Sequence, residues 1–514
     1  MATDDNTNTE SQPVLGDQPS QVQFQQNEQQ QPPPKSSLNQ DEPEEEPYLD
    51  IPRHLRYWKM CIRAPLPHVY LSNESSRLAL AYFIVNSITI LTPPPSQRTA
   101  DTPEPLISRE DKKLMRKWVL HHQHPTGGFV GTSSMVFPLN GHNTYNSSGK
   151  EGTSEDEPEH HGLANISYTL FALQLLALLA DEEDEDPEAA EKVFEGVNRK
   201  GTLRWLKSLQ REDGSFGEAL SDLPGYGRFI AGGYDMRYCY IATAIRWILR
   251  GDVREGDPGW VEDIDVERLR GYILSSQTYD RGFAGNSQDE AHAGYAYCAI
   301  AALTLLDQDD LDDPNFLLPP TPSDLLCCLD ALTKEKGPQG AVEVAFNGRT
   351  NKTADTCYFW WVGGALANLG WLQGYDNDGE GPSNGQPPQK ESLVDRASAR
   401  RFLLTKMQHR IGGFGKSPGS PPDLYHSFFG LAVLGLLGHE GERDKLRRFD
   451  AGLAVPKDVV GVIEKARKRL VERDGLGKSE IDDGREGLVE MGLELRGGGG
   501  GGGERPKWLG ECGY

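Results

Sequence analysis

The stretch 205–216, WLKSLQREDGSF, places a phenylalanine six residues after a glutamine, across a turn that contains glycine. The same spacing recurs at 118–129 (WVLHHQHPTGGF), at 272–283 (YILSSQTYDRGF) and at 403–414 (LLTKMQHRIGGF). The stretch 329–342 (LDALTKEKGPQGAV) is a degenerate fifth copy. Such self-similarity is typical of repeat architectures, in which each repeat is one supersecondary unit.

Each copy ends an amphipathic pattern, and a strongly apolar run of helical length follows it. These runs are 167–180, 237–250, 294–306, 357–372 and 424–438, and a further run, 75–91, precedes the first copy. Alternating amphipathic and apolar helices imply two layers, with the apolar helices inside. The sequence therefore predicts an all-α fold, a closed ring of helical hairpins. An open α-solenoid is the alternative, but its concave face is usually polar, whereas these runs begin with His, Tyr, Cys and Trp.

Composition limits the classes of function. The 514-residue chain carries a formal net charge of −24, which argues against nucleic-acid binding through bulk charge. Most of the seven cysteines lie in apolar runs, which predicts reduced thiols in an intracellular protein. The start of the chain lacks the pattern of a secretory signal, and the apolar runs are shorter than the roughly 20 residues of a bilayer span. A cytoplasmic protein without a transmembrane segment is expected.

The domain organisation follows from shifts in composition. Residues 1–46 are rich in Gln, Pro and acidic residues, and we expect a disordered tail because they cannot bury enough apolar surface. Residues 47–440 form the predicted ring, with insertions near 140–160 and 374–392. Residues 441–514 form a charged and glycine-rich C-terminal extension.

Residues suited to chemistry cluster at the predicted starts of the inner helices. In a closed ring these starts converge on one rim, where helix N-termini favour anions such as diphosphate. The residues concerned are His292 in EAHAGY, Arg349 and Lys352 in NGRTNK, Asp355, Cys357 and Tyr358 in DTCY, and Asp423, Tyr425 and His426 in PDLYH.

Asp355, Cys357 and His426 offer a carboxylate, a thiolate and an imidazole, a three-ligand set that leaves one position of a catalytic zinc open. Residues two apart do not share a face within a helix, so Asp355 and Cys357 converge only if Asp355 lies at or before the helix start. A buried cysteine beside an N-capping aspartate is the alternative, and the spacing alone leaves it open.

Over residues 50–440 the chain resembles the β subunits of protein prenyltransferases, heterodimeric enzymes with an α-α toroid fold. DMRYCY, EAHAGYAYC, NGRTNKTADTCYFWW and DLYHSFFG occur in the order found in that family. The resemblance implies an α-subunit partner and zinc on Asp355, Cys357 and His426. It also implies diphosphate binding by His292, Arg349, Lys352 and Tyr358, and a lipid pocket lined by Arg237, Tyr240, Cys298 and Trp361.

Two positions resemble the type I geranylgeranyltransferases. Ala79 stands where farnesyltransferases carry a tryptophan that closes the lipid pocket, and Lys416 stands where farnesyl and Rab-type enzymes have an aspartate that helps hold magnesium. The resemblance thus implies magnesium-independent transfer of a geranylgeranyl group from geranylgeranyl diphosphate to the cysteine of C-terminal CaaX proteins, such as Rho/Rac-like GTPases. Tyr425 departs from this pattern, because it is similar to the farnesyl type.

Other functions stay open at this point. A farnesyltransferase or Rab-type β subunit is the nearest alternative. A terpene cyclase-like toroid would use aspartate motifs of the kind found at Asp307, Asp309, Asp310 and Asp313, but these lie in a segment with the composition of a solvated loop. A non-catalytic helical scaffold would have kept the ring and lost the site, whereas each matched ligand and charge is present here.

Overall fold

The computed structural model describes residues 47–100, 102, 104–136, 162–181, 189–223, 227–280, 282–306, 333–336, 342–349, 352–370, 372, 394–438 and 446–476. The predicted N-terminal tail, the two predicted insertions, the aspartates between 307 and 313, and the glycine-rich end of the chain lie outside these residues.

The described residues form twelve α-helices and confirm the predicted all-α class. The helices are α1 (Ile51–Arg63), α2 (Arg77–Leu91), α3 (Arg109–His121), α4 (Ile166–Leu178), α5 (Arg199–Ser208), α6 (Met236–Leu249), α7 (Val266–Ser275), α8 (Ala293–Leu306), α9 (Thr356–Asn368), α10 (Arg396–Phe402), α11 (Leu424–Leu437) and α12 (Lys457–Gly475). Small antiparallel hairpins pair β1 (Ala219–Leu223) with β2 (Gly227–Ala231), β3 (Thr333–Lys336) with β4 (Val342–Ala345), and β5 (Phe449–Asp450) with β6 (Val455–Pro456). Short 3₁₀ segments occur at His68–Ser76, Pro95–Gln97, Ser133–Met135 and Ala189–Lys192, and a π turn at Leu403–Met407 extends α10.

The helices occupy two layers. The inner helices are α2, α4, α6, α8, α9 and α11, and the pattern of burial separates them from the outer ones. In α4 all seven residues from Ala172 to Leu178 are buried, so this part of the helix has no face in solvent. In the outer α3 only Met115 and Val119, one turn apart, are buried. The apolar runs of the sequence are therefore the inner layer, as predicted.

Backbone hydrogen bonds between neighbours close the ring at the N-terminal ends of the inner helices. Near the start of each of the five inner helices α2, α4, α6, α8 and α9, one N–H donates to a carbonyl in the loop that leads to the next inner helix. The pairs are Leu78 to Gly131, Ile166 to Glu218, Met236 to Gly285, Ala293 to Gly348 and Thr356 to Lys416, at 2.9 to 3.1 Å. The backbone N–H of Leu424 in α11 completes the circuit by donating to the Tyr70 hydroxyl, just before α2, at 3.0 Å. We call this circle of helix starts the rim.

The repeated glutamines join the hairpins in the outer layer. The Gln210 side chain accepts a hydrogen bond from the Asp265 backbone N–H at 2.7 Å and donates one to the Asp265 carbonyl at 2.8 Å, at the start of α7. Gln123 binds the segment before α5 in the same way. Gln408 binds backbone groups of Tyr48 and Asp50, before α1, at 3.3 Å. The glutamine of the last copy thus binds the segment before the first outer helix, so the outer layer is closed as well.

The β5–β6 hairpin, residues 449–456, enters the ring from the end opposite the rim, and we call it the plug. Inner helices hold its carbonyls: the Tyr297 hydroxyl donates to Ala451 at 2.7 Å, the Tyr240 hydroxyl to Gly452 at 2.9 Å and the Gln174 amide to Leu453 at 2.7 Å. Helix α12 follows and buries Val459, Ile463 and Leu470. The boundary at 440 stays a prediction, although described residues beyond it supply part of the core.

One stretch of the described residues, His68–Gln97, is long and apolar enough to cross a bilayer by composition. It includes the inner helix α2, and 56% of its most apolar window is buried within the protein. A buried core helix passes the same test, so this stretch is weak evidence for a membrane span.

Candidate active site

The first turns of α9 and α11 position the predicted metal ligands at the rim. Asp355 is the N-cap of α9, and its side chain accepts a hydrogen bond from the Cys357 backbone N–H at 2.9 Å. Asp423 caps α11 in the same way and accepts from the His426 backbone N–H at 2.8 Å. Because Asp355 precedes the first helical residue, it need not share a helix face with Cys357, and the two side chains converge.

Asp355, Cys357 and His426 form a compact cluster, whose potential ligand atoms lie within 4.8 Å of one another. The Nε2 atom of His426 lies 3.2 Å from Oδ1 of Asp355, and its Nδ1 atom lies 2.6 Å from Oδ2 of Asp423. Among the described residues, no other group of His, Cys, Asp and Glu meets the same geometric test for a metal site.

Burial and mutual contact set the protonation of the cluster. Burial lowers the pKa of His426, but hydrogen bonds with Asp355 and Asp423 outweigh this effect and raise the pKa to about 9. Burial acts to raise the pKa of Asp355, yet the contact with His426 brings it below its usual value. Burial, with the nearby Asp355 charge, raises the pKa of the Cys357 thiol. Without a metal, the cluster therefore holds a carboxylate, an imidazolium and a thiol at neutral pH.

The donor set suits a borderline-soft divalent cation. One sulfur, one imidazole nitrogen and one carboxylate oxygen match the ligands of zinc, whereas magnesium and calcium prefer oxygen ligands alone. A hydrogen bond between Asp423 and Nδ1 leaves Nε2 of His426 for the metal, the arrangement common around ligating histidines. The residues present therefore fit a metal ion with three protein ligands.

The predicted diphosphate-binding residues lie on the same part of the rim. The Nε2 atom of His292 is 3.1 Å from the Tyr358 hydroxyl, and Nη1 of Arg349 pairs with Oε2 of Glu290 at 3.0 Å. Burial, followed by the charge of Arg349, lowers the pKa of His292 to about 4, so its imidazole is neutral. Lys352, three residues after Arg349, is exposed. These side chains could hold an anion between a neutral imidazole, a phenol and two cations.

Lys416 joins this group from the loop before α11. Its Nζ atom lies 3.9 Å from Oδ2 of Asp355, so a cation stands directly beside the three candidate metal ligands. Gly348 allows the neighbouring loop to approach Tyr358 closely, because a Cβ atom at this glycine would lie 2.0 Å from the tyrosine ring.

Aromatic side chains below the rim form an apolar wall. Trp361 is half-buried and packs against Phe429 and Tyr297, with ring centroids 4.7 and 5.2 Å apart. Phe83 packs against Phe429 and Tyr425. The half-buried Ala79 lies four residues before Phe83, on the same face of α2 and one turn nearer the rim.

The other predicted lipid residues lie in two different settings. Cys298 and Tyr240 are buried inside the ring. Arg237 is exposed at the start of α6, where Asp235 binds its guanidinium through three contacts of 2.6 to 3.1 Å. These hydrogen bonds raise the pKa of Arg237.

Residues 49–455 match the family model described as the prenyltransferase alpha-alpha toroid domain. The chain belongs to this prenyltransferase family. It is 30% identical over 411 residues to the geranylgeranyl transferase type-1 subunit beta of Arabidopsis thaliana, covering 76% of this chain and 85% of that one. It is also 30% identical over 383 residues to the type-1 subunit beta of Dictyostelium discoideum, covering 72% and 86%. The protein farnesyltransferase subunit beta of Pyricularia oryzae is 25% identical over 396 residues, covering 76% and 63%.

A solved structure shares the fold of this prenyltransferase. The Candida albicans protein geranylgeranyltransferase-I, solved in complex with GGPP, matches with a TM-score of 0.58 and 24% identity, over 82% of this chain and 99% of that one. The predicted α-α toroid is therefore confirmed. The relatives also confirm two other predictions, the resemblance to type I β subunits and the prediction that the chain is an enzyme of that kind.

Sequence analysis of this prenyltransferase missed two acidic residues at the rim, Asp235 and Glu290, and it placed Asp423 at a helix start without giving it a role. Asp423 orients His426, Asp235 binds Arg237, and Glu290 pairs with Arg349. A capping signal was available for Asp423 and Asp235, since each stands immediately before an apolar run. No local pattern pointed to the pairing of Glu290, because Arg349 lies 59 residues further along the chain.

Proposed function

We propose that this chain is the β subunit of a heterodimeric, zinc-dependent geranylgeranyltransferase. It transfers the geranylgeranyl group from geranylgeranyl diphosphate to the cysteine thiol of proteins with a C-terminal CaaX sequence, often ending in Leu. The observation that carries the proposal is the cluster of Asp355, Cys357 and His426 beside the cationic side chains at the mouth of an aromatic-walled ring. The two type-1 relatives support the choice of lipid.

Zinc at this cluster would lower the pKa of the substrate thiol, so that it is ionised near neutral pH. The substrate sulfur then forms a bond to C1 of the prenyl chain while the bond from C1 to the diphosphate oxygen breaks. His292, Arg349, Lys352 and Tyr358 hold the diphosphate and stabilise the charge that develops as it leaves. Because these donors are fixed on the rim, little reorganisation is needed at the moment of reaction.

The side chains beside the cluster account for lipid choice and for independence of magnesium. Ala79 leaves open the space on α2 that a larger side chain would fill, which suits a fourth isoprene unit. The Lys416 ammonium, next to Asp355, supplies a positive charge where a second metal would otherwise stand. Arg237, Tyr240, Cys298 and Trp361 are proposed to line the lipid pocket.

A farnesyltransferase β subunit is the second candidate, and two observations favour it. Tyr425 is the residue typical of the farnesyl type, and its ring packs against Phe83 and Phe429 in the aromatic wall. Farnesyltransferase β subunits also occur among the relatives, at 24% to 25% identity.

The proposed partners are a prenyltransferase α subunit, without which this chain is expected to be inactive, and Rho/Rac-like small GTPases as protein substrates. The proposed location is the cytoplasm, where such substrates are made.

The decisive test is prenyl transfer to a peptide ending in Cys-a-a-Leu, using this chain with an α subunit and without added magnesium. The fifteen-carbon and twenty-carbon diphosphates are compared. Preferential transfer of the twenty-carbon group, together with one zinc per heterodimer, is the expected result. The variant Cys357→Ala should lose both zinc and transfer, whereas Cys239→Ala, a buried cysteine outside the cluster, should retain them. Preference for the shorter lipid would favour the farnesyl type, and a heterodimer without zinc would exclude the proposed chemistry.

A further inference from the structure

The loop that leads into α11 carries a feature that the proposed chemistry does not use. Its sequence, SPGSPPD at 417–423, contains two serines that are each followed directly by proline. Residues 417–420 form a turn, in which the Ser420 backbone N–H donates to the Ser417 carbonyl at 3.0 Å. Gly419 has a φ of +80°, and Pro418 precedes it, so the turn has the type II pattern.

The turn is open to solvent. Pro418, Gly419 and Pro421 are exposed, and a Cβ atom at Gly419 would meet no other atom within 4 Å. A backbone bridge between Gly415 and Pro422 closes the base of the loop. Another protein can therefore reach the tip of the loop, whereas its base is fixed to the ring.

The two serine hydroxyls lie together on this turn. Their Oγ atoms, in Ser417 and Ser420, are 2.8 Å apart, and both side chains are half-buried. A hydroxyl can both donate and accept a hydrogen bond, so each serine satisfies the other. A group added to one hydroxyl would therefore have the other hydroxyl as its neighbour.

Proline after serine is a recognition signal with a physical basis. Proline has no backbone N–H, and its ring biases the preceding residue towards an extended backbone. A kinase cleft that offers no acceptor at this position selects serine followed by proline. Ser420 lies in PGSPP, at 418–422, with one proline two residues before it and another directly after it. The chain around Ser420 is thus suited to such a cleft.

Thr92 also precedes a proline but has a different setting. It is the C-cap of the inner helix α2, and its hydroxyl donates to the Ile88 carbonyl at 2.7 Å. Its own carbonyl accepts from Nε of Arg447 at 2.6 Å. These contacts tie Thr92 to the ring, whereas Ser420 lies on an exposed turn.

We propose that Ser420 is a phosphorylation site for a proline-directed protein kinase, and that the phosphate lowers transfer by the neighbouring active site. This inference rests on the proposed function and adds regulation to it. In the modifying step, Oγ of Ser420 forms a bond to the γ-phosphorus of ATP. The bond from that phosphorus to the β–γ bridging oxygen breaks, ADP leaves, and the kinase takes the hydroxyl proton.

Lys416 connects this phosphate with the active site. It immediately precedes the turn, and its Nζ atom lies 3.9 Å from Oδ2 of Asp355. A phosphoserine carries about −1.5 to −2 charges at pH 7 and accepts strong hydrogen bonds, so it competes with the departing diphosphate for this ammonium group. The Ser417 hydroxyl donates to the same phosphate and holds it beside the lysine. The modified enzyme therefore binds its anionic substrate with less positive charge at the rim.

The first test is phosphorylation of the purified heterodimer by a mitogen-activated protein kinase with ATP. Trypsin releases the turn in the peptide 417–443, and fragmentation in a mass spectrometer should place a phosphate on Ser420. Ser420→Ala should abolish phosphorylation at this position, whereas Thr92→Ala should leave it unchanged. A peptide without phosphate, or with phosphate on Ser417 alone, would overturn the proposal.

The second test compares geranylgeranyl transfer before and after phosphorylation. The kcat/KM for geranylgeranyl diphosphate should fall about tenfold, within the usual range for coupling between two sites, and the difference should shrink at high ionic strength. Ser420→Ala should keep the unmodified rate after treatment with the kinase. In Lys416→Gln, phosphorylation should change kcat/KM by less than about twofold, because the side chain that couples the phosphate to the site is absent.

The outcomes separate this inference from the proposed function. A phosphorylated heterodimer that transfers the group as fast as the unmodified one would overturn this inference alone. An equal decrease with and without Lys416→Gln would overturn the role of the lysine in it. A heterodimer that transfers no prenyl group before phosphorylation would overturn the proposed function, and this inference with it.

Discussion

At the scale of single residues, Asp423 is a helix cap that also orients a candidate metal ligand, His426. One carboxylate oxygen accepts from the His426 backbone N–H, and the other holds Nδ1 of the same histidine at 2.6 Å. The contact that starts α11 thus also fixes the imidazole, with Nε2 turned towards Asp355. The geometry of the cluster therefore depends on a residue outside the ligand set.

The variant Asp423→Asn tests this role. Asparagine is an equally good N-cap, so α11 should keep its start, but its neutral amide holds the imidazole less strongly. Zinc affinity, measured by competition with a chelator, should fall about 10- to 100-fold. Asp395→Asn changes the cap of the outer helix α10, far from the cluster in sequence, and should leave zinc affinity unchanged. Equal affinities in the two variants would show that Asp423 acts only as a cap.

Zinc affinity should also depend steeply on pH. The pKa of His426 is raised to about 9 and that of Cys357 is raised further, so at neutral pH both carry protons that the metal must displace. Affinity should therefore increase by about 100-fold per pH unit, tenfold for each proton released, and more gently above pH 9. Calorimetry in buffers of different ionisation enthalpy would count the protons. Release of no proton would contradict the assigned protonation states.

The candidate ligands could be predicted as a set from the sequence, because Asp355, Cys357 and His426 lie in motifs that a family resemblance makes recognisable, and the structure brings the three together. The protonation states of these three residues and the pairing of Arg349 with Glu290 could not be predicted from the sequence. These depend on burial and on distances between separate loops, and no spacing in the sequence encodes them.

At the scale of elements, the repeated glutamine is a clamp between hairpins. The sequence shows the repeat but gives the glutamine no role, because its partners lie far along the chain, at the start of another outer helix. Gln210 reaches a residue 55 positions later, and Gln408 reaches residues about 360 positions earlier. In the four full copies, the phenylalanine pairs with the glutamine through the backbone and is fully buried.

Replacing Gln408 with alanine should loosen the closure of the outer layer. The Asp50 N–H and the Tyr48 carbonyl would lose their partner, and buried His54 would lose a hydrogen bond of 2.9 Å. The free energy of unfolding should decrease by about 2 kcal/mol, measured by denaturant titration. Gln97→Ala, at an exposed position, is the control and should have no measurable effect. A similar decrease in the free energy of unfolding of Gln97→Ala would show that the hydrogen bonds of Gln408 make no specific contribution to stability.

At the scale of the whole molecule, the ring needs the residues that follow its last inner helix. The plug fills the end opposite the rim, and α12 follows it and buries Val459, Ile463 and Leu470. Composition alone places a boundary near 440, because α12 is highly charged and its apolar positions are few. The contribution of α12 to the core can be recognised only in the folded structure, where the ring provides a surface for its few apolar side chains.

Two truncated chains test this dependence. A chain ending at Gly438 lacks the plug and α12, whereas a chain ending at Leu476 keeps every described residue. The shorter chain should lose about 5 kcal/mol or more of stability, since three buried aliphatic side chains and the partners of Tyr240 and Tyr297 are removed. Its thermal midpoint should fall well below that of the longer chain. Matching midpoints would show that the C-terminal segment does not contribute to the fold.

Ring closure also determines when the protein can finish folding during its synthesis. Helix α2 ends at Leu91, but its neighbour in the ring, α11, ends only at Leu437. A ribosome adds about 5–20 residues per second, so it needs roughly 20–70 s to synthesise the chain between these two residues. During that time one apolar side of α2 has no partner, whereas an open array of repeats could fold progressively as it emerged. Nascent chains of intermediate length are therefore expected to bind chaperones, and release should coincide with the emergence of α11.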